Sequence, residues 1–384
     1  MMNIEEKFLI SLCSAYLSGK SANLPAGADL QALFSLAARH SLLGVAQCVS
    51  SRQSLGDGKF RKALRECFYE CVYMHELQSK ALSELEALFG ANNIKYILFK
   101  GAVLKGLYPV PESRTMSDID LLIAPEDAGK VGALLTENGY ACTQGGGEVR
   151  KYSQGKIILE VHSRLIGEFG TAFDSAYENA VFDGFRGVLE PSFHLAYLIA
   201  HTAHHFKFYG AGVRLILDLA VLQSGENIDI DRTFEILEEA GLEKFGRLLL
   251  SICKKWFDVG TAYTKDTEKC EGFIMSCGVL GSFENAPSVL TRRELESGRS
   301  AGRLTSSLRL AFPSYSRLRK LPYIDFIDGR PWLTPYAWAY RFYYQIKNKK
   351  DFSKFALSQL GSRQSIEKAE EQLEFFKEIG LYND

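Results

Sequence analysis

Apolar residues recur at three- and four-residue spacing over the first part of the chain, from residue 3 to about residue 88. Side chains at that spacing share one face of an α-helix, so the pattern predicts amphipathic helices. Three segments carry it: EEKFLISLCSAYL, DLQALFSLAARHSLLGVAQCV and FRKALRECFYECVYMHELQSKALSELEALFG. We interpret residues 1–88 as an N-terminal helical region, in which Asp29 suits the start of the second helix.

The pattern changes to short β-branched and aromatic runs at residues 94–99, IKYILF, which predict a buried strand. A short helix, GAVLKGLY, follows and ends before Pro109 and Pro111. The segment SDIDLLIA predicts a second strand, Pro125 suits the first turn of a helix, and YACTQ predicts a third strand. GGGEVRKYSQGKIILEVHSRL predicts a hairpin around Ser153-Gln154-Gly155. Residues 89–188 are therefore predicted to form a small α/β unit.

Helical spacing returns at Pro191 and continues through PSFHLAYLIAHTAHHFKF, GVRLILDLAVLQS and TFEILEEAGLEKFGRLLLSICKKWFD. Residues 259–330 are less regular, and SIEKAEEQLEFFKEIG predicts a final amphipathic helix. We interpret the aromatic stretch RPWLTPYAWAYRFYYQIKNKK as a helix that packs on its own core. The predicted fold class is α+β, with residues 189–384 as a mostly helical C-terminal region.

Bulk composition narrows the class of protein. The 384 residues carry a formal net charge of -1, which gives no indication of DNA binding. Eight cysteines contain no CxxC pair, and no apolar run reaches the roughly 18–20 residues that a membrane span needs. No secretion signal is recognisable, so we expect a reduced, cytoplasmic protein.

Asp118 and Asp120 are the first candidates for chemistry, because alternate residues of a strand share a face. Two carboxylates about 4 Å apart repel by about 4 kcal/mol at an effective dielectric constant of 20. A bridging divalent ion would relieve that repulsion, and Mg²⁺ prefers oxygen ligands together with substrate phosphates. Glu160, on a neighbouring predicted strand, would supply a third carboxylate. The alternative is an exposed acidic pair at the start of a strand.

Lys100 and Gly101 lie at the predicted junction between the first strand and the short helix. Free backbone N–H groups at a helix start attract phosphate, and glycine allows a phosphate to come close. An ordinary tight turn is the alternative. Arg114 precedes the acidic pair and could form an ion pair with Asp118 or Asp120 across the turn.

Several histidines are further candidates. His162 would share a strand face with Glu160 and either orient it, contact a phosphate or make a structural hydrogen bond. His201 and His205, one helical turn apart, have a spacing compatible with zinc, although a position in the core or facing a cleft is the favoured interpretation. Arg214 and Asp218 are also one turn apart and are predicted to form an ion pair within a helix.

Together these segments resemble the nucleotidyltransferase superfamily that includes DNA polymerase β. Its pattern is a hydrophobic strand, a glycine pair or Gly-Ser opening a helix, Asp-x-Asp on the next strand and a third acid on a later strand. The matching pieces are ILFKG, SDIDLLI and LEVH. More narrowly, LFKGAVL, YP, R-x-x-x-DIDLLI and the later HTAHH element resemble an uncharacterised bacterial nucleotidyltransferase family, often labelled family 5.

The resemblance implies a mixed-sheet nucleotidyltransferase core, an NTP as donor and Mg²⁺ or Mn²⁺ as cofactor. It implies that Asp118, Asp120 and Glu160 are catalytic and hold the metal, Glu160 either as a ligand or as a base. The residues that it places along the nucleotide are Lys100, Gly101, Arg114, Ser117 and His162. The chain departs from the superfamily in having Lys100 where glycine is preferred.

The expected function is transfer of an NMP to an unidentified acceptor hydroxyl on a small molecule, a protein or an RNA, with release of pyrophosphate. The alternative is a catalytically inactive nucleotidyltransferase fold that binds a partner protein, as in a toxin–antitoxin pair or a biosynthetic cluster.

Overall fold

The computed structural model describes residues 2–145, 147–208, 210–278, 312–319, 324–348 and 363–382. Two compact units divide the chain. The first comprises Met1–Phe206, Gly210–Gly281 and Ile379–Asn383, and the second comprises Lys207–Tyr209, Ser282–Glu378 and Asp384. Every candidate residue discussed above that carries chemistry lies in the first unit.

Four helices precede the sheet: α1 (Ile4–Ser18), α2 (Leu30–Arg39), α3 (Leu43–Gln53) and α4 (Gly58–Ala91). Side chains at three N-terminal ends accept backbone hydrogen bonds, from Asn3 at α1, Asp29 at α2 and Asp57 at α4. The predicted helices are confirmed, with loops between them. The helix start expected at Asp29 is also confirmed.

The sheet and its helices follow in the order β1 (Tyr96–Leu98), α5 (Gly101–Leu107), β2 (Ile119–Ile123), α6 (Ala128–Glu137), β3 (Ala141–Gln144), β4 (Val149–Gln154), β5 (Ile157–His162), β6 (Ala180–Asp183) and β7 (Arg186–Leu189). The described residues form one mixed sheet with the strand order β3-β4-β5-β2-β1-β7-β6. Neighbours β2 and β5 are parallel, as are β1 and β7, and the other pairs are antiparallel. The predicted α+β class and the predicted hairpin are confirmed, whereas β6 and β7 were not expected.

The two faces of β2 have different surroundings. Ile119, Leu121 and Ile123 join the core that α4 and α6 cover, together with Leu85 and Val131. Residues at alternate positions of a strand point to opposite faces, so Asp120 is directed away from this core. The pattern DIDLLI thus fixes which edge and face of the sheet carry the acid.

The rest of the first unit is helical: α7 (Pro191–Phe208, whose last residues belong to the second unit), α8 (Val213–Gly225), α9 (Ile230–Glu239), α10 (Glu243–Phe257) and α11 (Glu268–Ser276). α11 lies inside the stretch that the sequence pattern marks as less regular. α7 carries aromatic and histidine side chains next to the polar face of the sheet, since the rings of Phe99 and Tyr197 meet edge to face with their centroids 5.4 Å apart.

The described part of the second unit contains α12 (Tyr315–Leu318), α13 (Thr334–Asn348) and α14 (Arg363–Glu378). Ala337 of α13 is buried with Leu318, Ile324 and Ile327, and Trp338 packs against this cluster. The aromatic stretch therefore contributes to a local core, as expected. Among the described residues, no helix has both the length and the hydropathy needed to span a bilayer.

Candidate active site

A cleft of about 330 Å³ lies beside the polar face of the sheet. Its lining comes from the β1–α5 junction, the segment before β2, strands β2, β4 and β5, and helices α7 and α8. The polar lining residues are Lys100, Arg114, Ser117, Asp118, Asp120, Lys151, Glu160, His201, His205, Arg214 and Asp218. The cleft thus brings together the predicted acidic residues, Lys100, Gly101, Arg114 and Ser117.

Asp120 is the buried acid of this cleft, with 4% of its surface exposed. Its carboxylate accepts a hydrogen bond from Lys100 Nζ at 2.7 Å and lies 3.2 Å from His162 Nε2. Burial alone would raise the pKa of Asp120, but Lys100 and His162 together lower it below its ordinary value. Asp120 is therefore held as a carboxylate.

Glu160 lies beside Asp120 because parallel strands β2 and β5 pair these two residues directly. Lys151 Nζ contacts one oxygen of Glu160, and His162 Nε2 lies 3.7 Å from the other. Burial raises the pKa of Glu160, whereas the neighbouring His162 and Lys151 lower it, and the net pKa lies well below the usual range. Potential ligand atoms of Asp120, Glu160 and His162 all lie within 4.8 Å of one another.

Asp118 differs from its two acidic neighbours. It precedes the first residue of β2 and accepts a hydrogen bond from the Ser117 hydroxyl at 2.8 Å. Burial raises the pKa of Asp118, and so do the charges of Asp120 and Glu160. No Lys or Arg forms an ion pair with Asp118 in the described ranges. Its charge is consequently the least compensated of the three acids.

Lys100 occupies the residue before α5 with a φ of 49°, a region that favours glycine. Its backbone N–H donates to His194 Nε2 at 3.1 Å, so this N–H is not free for phosphate. Burial lowers the pKa of Lys100, but the Asp120 carboxylate more than reverses that effect and keeps the ammonium charged. Lys100 therefore contributes a fixed positive charge beside Asp120, at the residue before α5.

Gly101 begins α5 where other side chains approach closely. A Cβ atom there would lie 2.6 Å from Met116 Sδ and 2.8 Å from Arg114 Nη1. Glycine thus makes room for the segment that leads into β2, in addition to any approach of a phosphate.

Arg114 is buried and forms a two-point ion pair with Asp218 of α8. Its Nε and Nη2 atoms each donate to a different Asp218 oxygen at 2.9 Å. The Tyr108 hydroxyl donates to the same carboxylate at 2.7 Å. The suggested pairing of Arg114 with Asp118 or Asp120 is therefore wrong.

The predicted pairing of Arg214 with Asp218 is also wrong, because Arg214 forms no ion pair with the described residues.

His201 and His205 approach each other, with their Nε2 atoms 3.1 Å apart. Burial lowers the pKa of His201 well below its ordinary value and that of His205 to about 4, so both rings are neutral at pH 7. Within the described part of the chain, the one cluster of three or more side chains suited to a metal is the Asp120, Glu160 and His162 group. His201 and His205 line the cleft, in agreement with the favoured interpretation.

Lys151 and His194 were not singled out from the sequence. Lys151 opposes Glu160 because β4 and β5 pair Lys151 with Glu160, and that register follows from a turn at Gly155-Lys156. The predicted hairpin centre, near Gln154, was too early in the chain to give this pairing. His194 is brought to Lys100 by packing of α7 on the sheet, which no local pattern encodes.

A comparison with protein-family models matches residues 26–258 to a family described as uncharacterised nucleotidyltransferase. The match covers more than half of the chain and includes the whole sheet and the cleft. The chain belongs to this nucleotidyltransferase family. The family resemblance of LFKGAVL and DIDLLI is thereby confirmed. No curated protein and no solved structure matches the chain. In this nucleotidyltransferase the acids of the segments DIDLLI and LEVH, which are Asp118, Asp120 and Glu160, line the cleft.

Proposed function

We propose that this nucleotidyltransferase moves an NMP from an NTP to a hydroxyl of an acceptor, with release of pyrophosphate. The acceptor oxygen forms a bond to the α-phosphorus, the bond from that phosphorus to the oxygen that bridges it to the β-phosphate breaks, and the hydroxyl proton passes to solvent water. Membership of the family supports the class of reaction. The observation that carries the proposal is that Asp118, Asp120 and Glu160 line one cleft, with His162 close to Asp120 and Glu160.

The donor set of this group fits a divalent cation. Two carboxylates and one imidazole place their ligand atoms within 4.8 Å of one another, and carboxylate oxygens are preferred by Mg²⁺ and Mn²⁺. Asp120, Glu160 and His162 would hold the ion, and Asp118 would be the fourth ligand from the segment before β2. A cation bound there supplies charge neutralisation for the triphosphate and its α-phosphorus.

The chain's own groups position the reactants. Glu160 has one oxygen paired with Lys151 and the other facing His162, an arrangement better suited to holding a cation than to accepting a proton. Ser117 fixes Asp118 through its hydroxyl. The neutral rings of His201 and His205 add polar atoms to the α7 side of the cleft without adding charge. Positioning of this kind accounts for much of the catalysis of phosphoryl and nucleotidyl transfer.

One observation favours a second candidate function. Lys100 Nζ lies 2.7 Å from the Asp120 oxygen, where it already neutralises the acid that a metal would use. A site neutralised in this way would suit an inactive nucleotidyltransferase fold that binds a partner protein. We rank this second because Asp118 still lacks a cation partner among the described residues.

The test is transfer of label from α-phosphate-labelled ATP, GTP, CTP and UTP to components of a cell extract, with Mg²⁺ or Mn²⁺. We expect the wild-type protein to label a discrete acceptor with at least one NTP. Asp118→Asn should abolish labelling, whereas Asp183→Asn, at an exposed carboxylate of β6, should not. Absence of labelling with all four nucleotides, or equal labelling by Asp118→Asn, would contradict the proposed activity.

A further inference from the structure

Arg214 is a cation of the cleft that the proposed reaction has not used. It lies in the first turn of α8, is half-buried and lines the cleft together with Asp118 and Gly101. Its backbone position is fixed by the buried side chains of Val213 and Ile216 on the same helix. The guanidinium is therefore held at the cleft by a helix rather than by a loop.

The hydrogen bonds of Arg214 leave much of its guanidinium unused. Nη1 donates to the carbonyl oxygen of Thr115 at 3.1 Å and to its hydroxyl at 3.2 Å. Nε is buried without a hydrogen-bond partner among the described residues. A guanidinium has five N–H donors, and a buried donor without a partner is costly.

Arg214 also forms no ion pair with the described residues, unlike the other cations that line the cleft. Lys100 pairs with Asp120, Lys151 with Glu160 and Arg114 with Asp218. Asp218 is one helical turn from Arg214, but both of its oxygens accept from Arg114. Burial lowers the pKa of Arg214, and the nearby Arg114 lowers it further.

We propose that Arg214 is the receptor for the phosphate tail of the nucleotide, an inference that rests on the proposed function. A guanidinium presents its donors in a planar fork that matches two phosphate oxygens. The tail would bring the negative charge that Arg214 lacks and would accept from its free donors. Arg114, held by Asp218, is then a positioning residue, and Arg214 is the arginine of this cleft that meets the ligand.

The test is calorimetric titration with inorganic tripolyphosphate in EDTA, a probe that needs neither a base nor a metal. Wild type is compared with Arg214→Gln, Arg214→Lys and the matched control Arg164→Gln. Arg164 is a partly exposed arginine outside the cleft, where it pairs with Asp174. We expect Arg214→Gln to weaken binding about tenfold or more, the equivalent of one lost charge-assisted hydrogen bond. Arg164→Gln should leave the affinity unchanged.

The thermal midpoint of each variant supplies a second readout. Arg214→Gln removes two hydrogen bonds to Thr115 and no ion pair, so it should lower the midpoint far less than Arg114→Gln, which breaks the buried ion pair with Asp218. If Arg214→Gln fails to fold, the affinity of Arg214→Lys is the test, because lysine keeps the positive charge but lacks the planar pair of guanidinium donors. A loss of about threefold or more then supports the inference, and wild-type affinity overturns it.

Each outcome has one meaning. Equal affinity of Arg214→Gln and wild type overturns the role of Arg214, and so does a wild-type protein that does not bind tripolyphosphate. Tripolyphosphate binding could depend on Arg214 in a protein that transfers no label from any NTP. That result would support the role of Arg214 in binding phosphate and would reject the proposed transferase activity.

Discussion

Replacing Arg114 with methionine is expected to destabilise the folded protein far more than it changes nucleotide affinity. Arg114 and Asp218 are joined by two hydrogen bonds of 2.9 Å, and their side chains are 6% and 3% exposed. Methionine fills similar space without charge. The substitution would leave Asp218 buried with the Tyr108 hydroxyl as its remaining partner, and a hydroxyl cannot neutralise a carboxylate.

The expected magnitude follows from that geometry. Removing one partner of a buried ion pair costs about 3–5 kcal/mol, because the other charge stays buried. The chain supplies a matched control in Arg164 and Asp174, whose Nε–Oδ1 distance is 2.6 Å but whose side chains are 35% and 43% exposed. Arg164→Met should cost far less, since solvent screens this partly exposed pair.

The assay is urea unfolding followed by circular dichroism, with Arg114→Met, Asp218→Asn and the double variant forming a cycle. We expect a coupling free energy of about 2 kcal/mol between Arg114 and Asp218. A cost for Arg114→Met no larger than that for Arg164→Met would refute the reasoning. If Arg114→Met instead kept its stability and lost nucleotide binding, the phosphate contact predicted from the sequence would be its role.

Two further predictions concern stability. Gly101→Ala should destabilise the protein, because the added Cβ would collide with Met116 and Arg114. Gly106→Ala, on the same helix, has open space around the added Cβ and should stabilise the protein by about 0.5–1 kcal/mol. Thermal unfolding measures both changes. Burial lowers the pKa of His40 to about 4, below that of an unfolded histidine. The unfolded state therefore binds more protons between pH 6.5 and 4, and stability should fall by up to about 3 kcal/mol as the pH drops through that window. His40→Asn should make the stability less dependent on pH in this window. An unchanged slope of stability against pH would reject the assignment to His40.

The sequence anticipated the elements that carry the acids because local patterns encode them. Alternation in DIDLLI predicts which residues of β2 enter the core, and Ile119 and Leu121 do so. The position of Glu160 beside Asp120 depended on β2 and β5 being neighbours, which the family resemblance implied and the sheet order confirms.

The β6–β7 hairpin had a signal that was overlooked. Gly184, with a φ of 60°, follows Asp183 in FDGF, and Asp183 pairs with Arg186 across a two-residue turn. A glycine in such a turn is a recognised hairpin signal. The strands are short and partly exposed, so the apolar pattern by itself was weak.

The ion pair between Arg114 and Asp218 could not be predicted from local sequence patterns. Arg114 and Asp218 are 104 residues apart, and Asp218 has a nearer arginine, Arg214, one helical turn away. Spacing along the helix favours the nearer partner. Asp218 nevertheless pairs with the distant Arg114, because packing of α8 against the segment before β2 directs Arg114 toward both Asp218 oxygens.

The measurement that tests the central claim most directly is calorimetric binding of ATP, GTP, CTP and UTP, with and without Mg²⁺, to wild type and Asp118→Asn. The account predicts that Mg²⁺ strengthens the binding of at least one NTP to the wild type, and that Asp118→Asn loses this gain. The variant should lose no thermal stability, because burial and two neighbouring acids already disfavour the Asp118 charge. Binding to no nucleotide, or Mg²⁺-dependent binding that survives in Asp118→Asn, would contradict a metal-dependent transfer site at Asp118.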